Sequence, residues 1–132
     1  MILRKPAIRN SLAVAVLLAI AFVQAVNGEE NSLVGVWRGQ TPMGGRVVTI
    51  TITFNPDGTY FQQAVDSVGL QTLQSGHYTT TGDKLNFTVE DWAPKQLSHP
   101  PGSMFEYSFP QPGTLFLRDV NFQGTLTMTK VG

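Results

Sequence analysis

The chain has 132 residues, with nine Lys and Arg against nine Asp and Glu, two His and no Cys. That length holds one domain, and a hydrophobic fraction of 42% supplies a packed core rather than a disordered chain. Zero formal charge excludes the basic surface of a nucleic-acid binder, and the lack of Cys excludes disulfides, thiolate metal sites and a Cys nucleophile.

The first 25 residues differ from the rest. Residues 1–10 carry Arg4, Lys5 and Arg9 and no acid, and Leu12 to Val23 is an unbroken apolar run. That run is shorter than the roughly 20 residues of a membrane span. Val23-Gln24-Ala25 then offers a small-x-small exit. The order predicts a signal peptide over residues 1–25, cleaved after Ala25 or, as second choice, after Gly28. The length of the run favours this over an uncleaved anchor. No Cys follows it, which excludes a lipid-anchored lipoprotein. The expected product is a domain over residues 26–132, periplasmic or secreted, without a stable membrane anchor. It keeps six basic residues against nine acidic, near −3, which weakens any attraction to nucleic acid or anionic membrane surfaces. Asn86-Phe87-Thr88 matches the N-glycosylation pattern, which matters only in a eukaryotic secretory pathway.

From Leu33 onward the sequence reads as short strands. Leu33 to Gln40 is the first. Arg46 to Phe54 is the clearest, with Val48, Ile50, Ile52 and Phe54 on one face and Val47, Thr49, Thr51 and Thr53 on the other. Asn55-Pro56-Asp57-Gly58 turns the chain into Thr59 to Val65, a hairpin. Leu70 to Thr80, Lys84 to Val89, Met104 to Phe109, Thr114 to Arg118 and Phe122 to Lys130 follow. In the last, Phe122, Gly124, Leu126 and Met128 share a face. About eight strands at this spacing predict an all-β fold, a small antiparallel up-and-down barrel whose closure removes both sheet edges. A two-sheet sandwich is the alternative. Ala93 to Gly102, with Pro94, Pro100 and Pro101, cannot be a central strand and forms the longest connection. It is either a surface crossover or a binding loop.

Gly35-Val36-Trp37 opens the first strand. Phe54-x-x-Asp57-Gly58-Thr59-Tyr60, Gly76-His77-Tyr78 and Gly82-Asp83-x-Leu85 follow it in order. Together these resemble the lipocalin-like (calycin) superfamily, in particular small bacterial exported β-barrel domains. The resemblance implies that Gly35 and Trp37 form a structural barrel end. It also implies a basic residue across the Trp ring, with Lys130 as first candidate and Arg118 as alternative. The family would normally place Arg there, and the chain is shorter than a typical lipocalin. Avidin-like barrels also begin with G-x-W, but their biotin sites need several Trp, and this chain has only Trp37 and Trp92.

No enzyme signature is present. His77 and His99 lack metal-ligand spacing, Glu90 and Asp91 are strand neighbours facing opposite ways, and no Ser lies in a G-x-S-x-G context. An enzyme would need Asp66, His77 or Glu106 to converge in one cleft. No metal and no cofactor are expected. The predicted function is an exported lipocalin-like binding protein for a small apolar or amphipathic ligand. Tyr60, Trp92, Pro94 and His99 are the candidate ligand-binding residues. The alternative is a protein-interaction or inhibitor-type domain acting on an envelope or extracellular partner through the 93–102 loop.

Overall fold

Alternating β-branched and polar residues give β2 (Arg46–Phe54) one face for a core and one for water. Ile52 and Phe54 are buried, while the threonines opposite stay accessible. The same logic builds seven more strands: β1 (Gly35–Met43), β3 (Thr59–Asp66), β4 (Gln71–Thr81), β5 (Lys84–Ala93), β6 (Ser103–Gln111), β7 (Thr114–Asp119) and β8 (Thr125–Lys130). The computed structural model describes residues 32–132, so the signal peptide expected over residues 1–25 lies outside the described residues.

Each strand pairs antiparallel with its sequence neighbour, and β8 returns to β1 to close a barrel. The closing seam is Trp37↔Lys130, Arg38↔Thr129 and Gly39↔Met128. Closure decides the architecture for the barrel and against the sandwich, and leaves strand edge unpaired between neighbours where β5 runs on past its pairing with β6. Trp37, Phe54, Tyr60, Leu85, Leu115, Leu117 and Met128 are its fully buried side chains. Phe54 meets Tyr78 edge-on at 4.9 Å, and Tyr60 meets Phe87 edge-on at 4.8 Å, the arrangement aromatic quadrupoles favour.

The turn after β2 follows its chemistry. Gly58 adopts φ +88°, and the Asp57 carboxylate accepts from the Thr59 N–H at 3.0 Å and from its hydroxyl at 2.6 Å. Those bonds to the charged form, the hydroxyl's foremost, hold the Asp57 carboxyl below its ordinary value.

Three strands depart by three or more residues from the limits the periodicity implies. β1 runs past Gln40 to Met43, where it still pairs with Arg46 of β2. β5 continues past Val89 to Ala93, because a bulge opposite Ser75 and Gly76 absorbs Glu90 and restores pairing at Ser75↔Asp91. Only glycine fits at position 76, where a Cβ would stand 1.9 Å from the Thr88 carbonyl oxygen. β8 begins at Thr125 rather than Phe122. The Asp119 carboxylate accepts from the N–H groups of Asn121 and Phe122 at 2.8 and 2.9 Å, folding a turn that leaves Phe122 85% exposed.

An up-and-down path puts alternate connections at opposite ends. The β2–β3, β4–β5 and β6–β7 turns share one end with Leu33 and the C-terminal Gly132. The β1–β2, β3–β4, β5–β6 and β7–β8 connections form the other. At this second end β6 pairs with β5 only from Lys84 to Phe87, so the remaining length of β5 stands beside the 94–102 loop.

Candidate functional site

The first end is plugged. Trp37 is fully buried, its Nε1 donates to the Leu33 carbonyl at 2.8 Å, and Phe109 packs 6.0 Å from its ring. Lys130 Nζ lies 5.8 Å from the ring centroid, at the outer limit of a cation–π contact. Arg118 instead forms an ion pair with Glu106 on β6. Gly35 sits at φ +136°, and a Cβ there would stand 2.8 Å from both the Gly132 carbonyl oxygen and Lys130 Cε. A side chain at position 35 would therefore part the strand ends at the plug.

Toward the second end the interior is not filled. A cavity of about 160 Å³ lies between the packed floor and the 94–102 loop. Its apolar wall comes from Ile50 and Ile52 of β2, Phe87 of β5 and Phe105 of β6, with Leu117 and Leu126 closing the far side. Pro101 and Ser103 form the wall where the long loop enters β6. The polar groups in the lining are Gln62, Gln74 and Ser103, and it contains no charged side chain. Gln62 and Gln74 are cross-strand partners on β3 and β4, on the same face as Tyr60 and Gly76.

Tyr60 lies in the floor beneath this pair, 2% exposed, and its hydroxyl donates to Gln74 Oε1 at 2.8 Å. Burial, with the nearby Glu90 charge adding to it, pushes its hydroxyl up to about 12. The phenol is therefore neutral at physiological pH and remains a proton donor to Gln74.

The other expected ligand-binding residues cluster at the second end, around Trp92, the cross-strand partner of Gln74. Trp92 Nε1 donates to the Leu97 carbonyl at 3.0 Å, and His99 meets the indole edge-on at 4.4 Å. Lys95 stands 4.3 Å from the same ring centroid and forms an ion pair with Asp91. Pro94, exposed and preceded by a cis peptide bond, begins this clamp. Trp92 borders an outer depression of about 210 Å³ with Phe61 and Leu73. So Trp92, Pro94 and His99 come together, and Tyr60 lies in the floor, joined by its hydroxyl to Gln74, the cross-strand partner of Trp92.

A larger open groove, about 530 Å³, crosses the outer face of β1, β2 and β3. Arg38, Thr49, Thr51 and Gln63 are among the residues lining it, and a ligand there would stay largely in water. Asp66, His77 and Glu106 are held apart in separate pairs: Asp66 with Arg46, His77 with Glu90, and Glu106 with Arg118 and Lys84. Among the described residues, no group of three His, Cys, Asp or Glu is placed to hold a metal ion.

Sequence reasoning passed over Gln62 and Gln74, the polar groups of the cavity. The signal was present. Alternation from Tyr60 puts Gln62 on the inward face of β3, and Gly76 does the same for Gln74 on β4. A long amide aimed into an apolar barrel needs a hydrogen-bonding reason. No protein-family model matches this chain, and no curated protein sequence matches it.

Proposed function

We propose that this protein is an exported lipocalin-like binding protein that holds a small molecule in the barrel interior. The carrying observation is the cavity of about 160 Å³ left above a tightly packed floor. An eight-stranded barrel is just wide enough either to fill itself with side chains or to hold one small ligand. Here the side chains fill the Trp37 end and leave a hollow under the long loop. The order of G-x-W strand, D-G turn and closing basic residue supports the same reading, with Lys130 at the Trp37 ring. Native mass spectrometry of the protein from its source tests it: a small molecule should co-purify and be released on unfolding. A bare chain, together with no affinity for any small apolar compound, would sink the reading.

A second reading rests on the rim of the second end. Trp92 is held there by the 94–102 loop through the Leu97 carbonyl, with Leu97 and Phe61 exposed nearby, where a partner protein could seat. Trp92→Ala and Leu97→Ser should then abolish capture of that partner. Unchanged capture by both variants counts against it.

A further inference from the structure

We infer that the cavity selects an uncharged, ring-sized molecule bearing one hydrogen-bonding oxygen, with the Gln62–Gln74 pair as its polar anchor. The inference deepens the ligand-binding reading and rests on it. Three observations carry it.

The first is size. A cavity of roughly 150 Å³ accepts a single benzene-sized ring, whereas drug-sized ligands occupy roughly 300–1,000 Å³. At about 160 Å³ this interior takes one ring or a compact branched aliphatic body. A long acyl chain or a fused polycyclic ligand is too large for it.

The second is charge. Aliphatic and aromatic side chains, Pro101, one hydroxyl and two primary amides make up the lining, with no Lys, Arg, His, Asp or Glu among them. A carboxylate or ammonium entering it would lose its hydration and meet no counter-ion.

The third is the set direction of one anchor. The Tyr60 hydroxyl occupies Gln74 Oε1, so the Gln74 amide turns its N–H groups to whatever enters. Gln62, its cross-strand partner, offers a second amide beside it. Paired donors of this kind recognise a carbonyl or hydroxyl oxygen. An oxygen-free hydrocarbon of the same shape would leave them unpaired.

The test is calorimetric titration of the purified protein with four single-ring probes of similar size: toluene, benzyl alcohol, benzoate and benzylammonium. Benzyl alcohol should bind at least about tenfold more tightly than toluene, and benzoate and benzylammonium should bind more weakly than either. Gln74→Leu and Gln62→Leu, which keep the side-chain bulk, should erase the preference for the alcohol while retaining toluene. Charged probes binding as well as benzyl alcohol overturn the inference, as does equal affinity for toluene and benzyl alcohol. Failure of all four probes also overturns the inference, and the ligand-binding reading falls with it only if the protein from its source carries no small molecule, so the two failures are distinguishable.

Discussion

The two ends of the barrel are built from different chemistry. At the plugged end the turns are Asn55-Pro56-Asp57-Gly58, Thr81-Gly82-Asp83 and Gln111-Pro112-Gly113, and none carries an exposed large apolar residue. Below them Trp37, Phe54, Tyr78 and Phe109 fill the interior with aromatic contacts. At the other end all four connections or their strand ends present exposed apolar side chains: Met43, Val68 and Leu70, Leu97, and Phe122. That is also the end with the cavity, the shortened β5–β6 pairing and the long 94–102 loop. The contrast separates the two jobs of a small barrel. One end holds the strands together, and the other is free to stay hollow and to vary, because its loops contribute little to the core.

The contrast predicts a steep gradient of mutational cost. Trp37→Ala should have the largest effect, about 3–5 kcal/mol, because it opens a cavity in the plug. It also leaves the buried Leu33 carbonyl without its 2.8 Å partner. Chemical denaturation measures this, and a loss below about 1 kcal/mol would mean that Trp37 is not the plug it looks to be.

Acid should act next. Carboxyls at both ends are held below the ordinary value of 3.8, Asp57 by the Thr59 hydroxyl and Asp83 by Lys84 at the plugged end, and Asp66 and Asp91 at the other. A depressed folded-state value stabilises the fold above the unfolded value, and that stability is lost as pH falls through the folded values. The denaturation midpoint should therefore decline as pH drops below about 4. Asp57→Asn should flatten the decline, and a midpoint unchanged between about pH 5 and about pH 2 would contradict it.

Phe122→Ser marks the other extreme. The ring is 85% exposed on the β7–β8 turn, so its removal should shift stability by no more than about 0.5 kcal/mol. A cost above about 2 kcal/mol would mean that the ring is covered in solution and that the two ends are less different than they look.

Much of the fold was legible in the chain. β2 keeps the limits its alternation implies, Arg46–Phe54, and the Asn55–Gly58 turn folds as its Pro, Asp and Gly direct. Two departures show opposite ways in which local alternation misleads. Period-two alternation continues through Phe122, Gly124, Leu126 and Met128 whether or not a strand forms there, and only Asp119 capping the turn decides it. Glu90 breaks the alternation of β5, so the strand seemed to stop at Val89, although a bulge carries it on to Ala93. The candidate site was less legible. Trp92 and His99 stand seven residues apart in the sequence, and only the folding back of the 94–102 loop brings His99 against the indole.

The sequence by itself determined the all-β class, the strand count and the inward faces, because side-chain alternation and turn chemistry are local. Tertiary structure decided the rest: that the strands close into a ring and that Lys130 rather than Arg118 reaches Trp37. It also decided that Gln62 and Gln74 stand over Tyr60 beside a hollow. Each depends on register between strands far apart in the chain and on the volume left after every side chain is placed. Neither quantity is carried by any short stretch of residues.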